Sequence, residues 1–128
     1  MKDRVTEELD LLQQHWPELV YEEAGRWVLL PRYITPDTCV EHEVRLCFQI
    51  KPGHPGAAPY GFYVAQPITL EAGGQFGSTT SATEPPFEGK WLKFSWSPAD
   101  WRPGATVRSG SNLVTWAHSF GERLAQGA

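Results

Sequence analysis

Residues 40–50, VEHEVRLCFQI, constrain the fold more than any other stretch of this chain. From Glu43 onward the pattern alternates strictly, with Val44, Leu46, Phe48 and Ile50 on one side and Glu43, Arg45, Cys47 and Gln49 on the other. Successive side chains of an extended chain point to opposite faces, so this is a strand with one face in a core. An apolar sheet face needs a second layer, and the two ends of the chain supply it. Residues 2–14 place Val5, Leu9 and Leu12 at spacings of four and three, with acids near the start where a helix dipole favours them. His15, Trp16 and Pro17 end that helix, because proline disfavours the helical region for the residue before it. In the last twenty residues, Leu113, Trp116, Ala117, Phe120 and Leu124 form a helical stripe, with Ser111 as the expected cap and Gly127 as the stop.

Between the helices the extended pieces follow one another. ELVYEE and RWVLLPRYI flank Ala24 and Gly25 and read as a hairpin, with Pro31 marking an edge or a bulge because proline cannot donate to a ladder. GFYVAQPI, 61–68, is the fourth strand, after a Pro/Gly loop. Residues 69–86 are small and polar without period and read as one long irregular segment, and EGKWLKFSW reads as a short extended piece. The expected architecture is α+β in a single domain, 1–128: an N-terminal helix, a four-stranded antiparallel meander, a long irregular segment and a C-terminal helix packed on the sheet.

Composition removes several classes of function. With 41% hydrophobic and 20% charged residues the chain is a globule, and no run approaches the ~18 apolar residues of a membrane span. The N-terminal MKDRVTEELD has acids and no apolar core of a signal peptide, so a cytoplasmic address is expected. Ten acids against four Lys/Arg through Glu43 become five against seven beyond it, which gives a solvated acidic face and no basic patch for nucleic acid. Cys39 and Cys47 lie eight residues apart in extended chain, about 26 Å at ~3.3 Å per residue, so both are expected as free thiols.

Familiar catalytic patterns are missing. GSTTS at 77–81 lacks the closing glycine and following helix of a serine-hydrolase elbow, and the glycines of EAGGQFGS match no phosphate-binding loop. Cys39 and His42 form a C-x-x-H pair without the further ligands zinc needs, so neither a metal nor a cofactor is expected. His15, His54 and His118 are scattered, and His118, beside the apolar stripe, reads as a surface or half-buried residue. Sixteen aromatic residues would also suit a module that stacks sugars, although Trp27, Trp91, Trp101 and Trp116 sit beside apolar neighbours as core residues do.

The order of elements and three local sequences resemble the ubiquitin-conjugating enzyme (UBC) superfamily, and within it the prokaryotic family E of ubiquitin-conjugating-like proteins. FQIKPGHPGAAPYGFYV, 48–64, is similar to the family stretch in which a strand runs into Tyr-Pro and a second proline before the next strand, with His54 in place of the tyrosine and Pro55 and Pro59 as the prolines. DWRPG, 100–104, resembles the Trp-x-Pro after the catalytic loop, and residues 110–124, GSNLVTWAHSFGERL, the helix that follows. The resemblance implies a UBC-like fold and a place in a ubiquitin-like modification system, with a ubiquitin-like modifier or its activating enzyme as protein partner. It also places the thioester cysteine about eight residues before Trp101, at Lys93, within WLKFSWSPADWRPG. No cysteine follows Cys47, and the family's His-Pro-Asn has only Gln66-Pro67 as an echo.

A thioester cannot form without sulfur, so the expectation is a conjugating-enzyme scaffold that binds rather than transfers. The alternatives are conjugation through Ser95, with Asp100 as the nearest base, or through a displaced cysteine such as Cys47. A third, from another class, is the aromatic ligand- or sugar-binding module. Lys93 and Trp96, set by alternation against Trp91, Ser95 and Trp101, leave a tryptophan exposed as a partner contact, and Lys93, Trp96 and Trp101 are the expected binding residues.

Overall fold

A computed structural model describes residues 3–127. Its elements are α1 (Arg4–His15), β1 (Val20–Glu22), β2 (Trp27–Ile34), β3 (Glu43–Gln49), β4 (Phe62–Ala65), β5 (Thr79–Ala82), β6 (Trp91–Phe94) and α2 (Leu113–Gln126). The class is α+β, as expected, but the antiparallel sheet has six strands rather than four, in the order β1-β2-β3-β4-β6-β5.

The two additional strands both come from the stretch after residue 68. The piece centred on WLKF is β6, and it pairs with β4 on one side (Tyr63 opposite Lys93) and with β5 on the other (Thr80 opposite Lys93). β5, Thr-Thr-Ser-Ala, lies inside the segment read as irregular. Its residues are exposed or half-buried, so it has no apolar alternation to detect, and its place depends on pairing with a partner a dozen residues on.

The early strands follow their patterns. β1 and β2 form the expected hairpin, and β2 pairs with β3 with a register shift between Leu30 and Tyr33, the two residues that bracket Pro31. At Gly25, in the turn, an added Cβ would stand 2.7 Å from Cδ1 of the Trp27 ring, so the turn packs against that indole only without a side chain.

α1 begins at Asp3, whose carboxylate accepts from the Thr6 N–H at 2.8 Å; Lys2, included in the expected helix, lies outside the described residues. α2 is capped by Asn112 rather than Ser111. Asn112 and Thr115 exchange side-chain-to-backbone hydrogen bonds in a capping box, while the Ser111 hydroxyl accepts from the Arg102 N–H at 2.9 Å and ties down the preceding loop. Gly127 ends the helix at φ 68°.

One face of the sheet packs against the helices. Val28, Leu46, Phe48, Phe62 and Phe94 meet Leu12 of α1 and the whole α2 stripe there, with Phe120 stacked on Phe62 at 4.3 Å between ring centres. The Tyr33 hydroxyl locks α2 to β2, donating to the Ala117 carbonyl at 2.6 Å and accepting from the Gly121 N–H at 3.1 Å. The opposite face is covered as well. Trp27, Leu29, Cys47, Tyr63 and Trp91 form a second cluster, with Phe87 and Ala82 laid against it.

Candidate functional site

Residues 91–104 do not form one surface. Within β6, Trp91 and Lys93 share the outer face, while Phe94 lies in the main core with Leu92 packed against it. The Lys93 ammonium lies over the Tyr63 ring at 5.7 Å from its centre, and its backbone is held in ladders on both sides. The alternation that grouped Lys93 with Trp96 against Trp91 is therefore corrected: Lys93 is a strand residue beside Trp91, and Trp96 lies beyond the end of the strand.

Trp96 and Trp101 come together on the helix side of the sheet. The Trp96 indole N–H donates to the Ser119 hydroxyl at 3.0 Å, and Ser119 in turn donates to the Trp116 carbonyl at 2.6 Å. The Trp101 indole N–H donates to the Pro55 carbonyl at 2.7 Å. Both rings are half-buried, each with its polar edge satisfied, and both line a groove of about 390 Å³ between residues 96–101 and α2. Asp100 lies on the same groove, its carboxylate 2.7 Å from the Arg102 guanidinium in an exposed pair.

Ser95 is exposed and opens onto a neighbouring cleft of about 340 Å³ with Ser78 and Arg123. Its backbone N–H donates to the Ser78 carbonyl at 3.1 Å, and no hydrogen bond among the described residues joins its hydroxyl to Asp100 or to any other base. Arg123, unremarked in the sequence, is buried: it lies over the Phe94 ring at 5.2 Å and donates to the Gly77 and Gly127 carbonyls, where burial lowers its pKa.

Both cysteines are free and buried. Cys47 has no exposed surface, and burial, offset only in part by the Arg45 charge, pushes its thiol up to about 12. Cys39 is 3% exposed and is raised in the same direction by burial. A thiolate is the reactive form, so an aromatic disulfide reagent at neutral pH should label neither residue in the native protein and both after unfolding in guanidinium. Rapid labelling of one thiol per chain without denaturant would show that a cysteine reaches solvent. His42 is exposed, and the described residues contain no group of three or more His, Cys, Asp and Glu that could hold a metal ion.

Sequence reasoning missed the polar centre beneath the site. Glu8 is fully buried, although it was counted among the solvated acids. Its carboxylate accepts from Arg4 Nε at 2.7 Å and from the Leu113 N–H at 2.6 Å, and it meets His54 Nε2 at 2.7 Å. Burial acts to raise the Glu8 pKa, but these hydrogen bonds outweigh it and leave the carboxyl below its ordinary value. The His54 ring lies 5.9 Å from Trp101, so Glu8 joins α1, the loop before β4 and the first turn of α2, while the Trp101–Pro55 bond ties the segment after β6 to the same loop. A signal was present: Glu8 falls within the stripe of Val5, Leu9 and Leu12, on the side of α1 that faces the core.

The model of prokaryotic E2 family E matches residues 3–118, from the cap of α1 into α2. The chain belongs to prokaryotic E2 family E. Searches of the curated proteins and of the solved structures bring no match.

Proposed function

We propose that the chain is a single UBC-like domain that serves as a non-catalytic binding component of a bacterial ubiquitin-like modification system, working in the cytoplasm. Its partners are the ubiquitin-like modifier or the enzyme that activates it. Membership of the family supports the setting. No helix among the described residues is long and apolar enough to cross a membrane.

The observation that carries the non-catalytic reading is the state of the position where the resemblance puts the thioester cysteine. Lys93 stands there, in the middle of a strand paired on both sides, with its ammonium over Tyr63. An acyl-carrying thiol must be exposed and readily ionised, and the chain's two thiols are neither. Ser95 has the exposure but, among the described residues, no hydrogen bond from its hydroxyl to a base, and an unactivated hydroxyl is a poor nucleophile. What remains is a rigid surface carrying Trp96 and Trp101, residue types that dominate protein interfaces.

Size-exclusion chromatography of the purified chain, mixed in turn with the modifier and with the activating enzyme, tests this. Co-elution with at least one of them, reversed by denaturant without a reductant, is the expected result. Separate elution from both at tens of micromolar would contradict the binding role.

A further inference from the structure

The groove between residues 96–101 and α2 has two fixed aromatic walls and two carboxylates. Each indole is held by its N–H bond, Trp96 to Ser119 and Trp101 to Pro55, so neither ring has to be ordered when something enters. Asp100 and Glu122 lie on the same groove, and Glu122 is exposed with no ion-pair partner among the described residues. Asp100 pairs with Arg102, but both side chains are largely exposed, at 69% and 82%, and such a pair exchanges readily. The neighbouring cleft at Ser95 differs in charge, since the charged group lining it is the Arg123 guanidinium and no carboxylate among the described residues lines it.

We propose that this groove docks an extended segment of a partner protein in which a lysine or arginine stands next to an apolar residue. The indole faces attract a cation and cover its aliphatic stem, and the carboxylates at Asp100 and Glu122 take its charged end. The groove volume, about 390 Å³, suits one or two side chains rather than a folded surface. Charge complementarity selects the occupant: an acidic segment meets two carboxylates, and the chain as a whole carries a formal charge of −4. The inference deepens the proposed function and rests on its claim that the chain acts by binding a protein.

The test uses the full chain and three probes: a blocked lysine–leucine hexapeptide, the same peptide with glutamates for lysines, and a neutral oligosaccharide. Binding is read from tryptophan fluorescence and from amide shifts in a proton–nitrogen spectrum. The lysine peptide should move the fluorescence and shift amides of 96–101 and 115–126, with the glutamate peptide at least about tenfold weaker. The double variant Asp100→Asn, Glu122→Gln, at exposed positions, should keep its melting temperature and lose about tenfold in affinity for the lysine peptide. Trp96→Phe, which retains a ring, should bind more strongly than Trp96→Ala.

Equal binding of both peptides, undiminished binding by the double variant, shifts confined to another face, or a response to the oligosaccharide alone would each overturn the proposal. So would no response to the lysine peptide at millimolar concentration. Failure here alongside co-elution with the modifier or activating enzyme removes only the groove, whereas peptide binding without co-elution removes only the proposed function.

Discussion

Replacing Glu8 with alanine should cost about 3–5 kcal/mol of folding stability, the typical result of deleting one member of a buried charged network. The carboxylate is fully buried and serves three donors from three parts of the chain: Arg4, the Leu113 N–H and His54. Without it the Arg4 guanidinium keeps only its bond to the Gly104 carbonyl, with its second terminal nitrogen already lacking a partner, and the first turn of α2 loses an acceptor. Glu8→Gln keeps the shape and loses the charge, so it should fall between wild type and Glu8→Ala. Urea titrations read by fluorescence and far-UV circular dichroism, with the slope unchanged, give the difference. The same network sets a pH dependence. Because the folded pKa of Glu8 lies below its ordinary 4.5, the carboxylate contributes stability above the unfolded pKa and loses it as pH falls through the folded value. Wild type should therefore lose more stability than Glu8→Gln on acidification below about pH 4.5. A cost under about 1 kcal/mol for Glu8→Ala would mean that solvent satisfies those donors and the network does not hold the helices together.

Phe120→Ala should be equally damaging, at about 3–5 kcal/mol, for the opposite physical reason. Phe120 is fully buried and meets four aromatic rings: Phe62 at 4.3 Å, Trp116 at 4.9 Å, Phe48 at 5.6 Å and Tyr33 at 6.1 Å between centres. These rings belong to the sheet and to α2, so the space left by the deleted ring is bounded by elements that cannot all close on it. The Tyr33 bonds to Ala117 and Gly121, one turn apart on either side of Phe120, hold α2 in place and resist collapse. Thermal melts and near-UV circular dichroism of the variant should show a lower transition and a weakened aromatic signal. A loss below about 1.5 kcal/mol would mean that the rings repack and α2 is less firmly seated than the geometry implies.

How far the sequence revealed this molecule depended on whether each element carried its own periodic signal. The alternation of Val44, Leu46, Phe48 and Ile50 and the stripe of Leu113, Trp116, Ala117, Phe120 and Leu124 are local, and all of these residues are buried where the patterns put them. The bulge around Pro31 was legible because proline lacks a donor. The family was legible too, because its resemblance is spread over most of the chain rather than concentrated in one motif, and the family model matches residues 3–118. β5 was not legible: Thr79 to Ala82 is polar, lies at the sheet edge and gains its structure from pairing with β6. Nor was the second aromatic cluster, since Cys47 occupies what alternation marks as the outer face, and only the three-dimensional path of residues 82–91 covers it. At the site, the sequence sets Trp96 as an exposed contact and Trp101 among core-like aromatics, whereas both are half-buried, and their joint groove with Glu122 needs α2 placed beside them. Glu8 was misread because an acid in a helix is ordinarily solvated, and its partners His54 and Leu113 lie 46 and 105 residues away.

The proposed non-catalytic role requires that no usable nucleophile stand where a conjugating enzyme carries its acyl group. Intact-mass spectrometry after incubation with the cognate activating enzyme, ATP and modifier tests that most directly. The chain should keep its unmodified mass under conditions that charge a thioester-forming control enzyme. An added modifier mass released by a reductant would place the chemistry on Cys39 or Cys47, and one stable to reductant but lost in mild base would place it on Ser95; either would contradict the account.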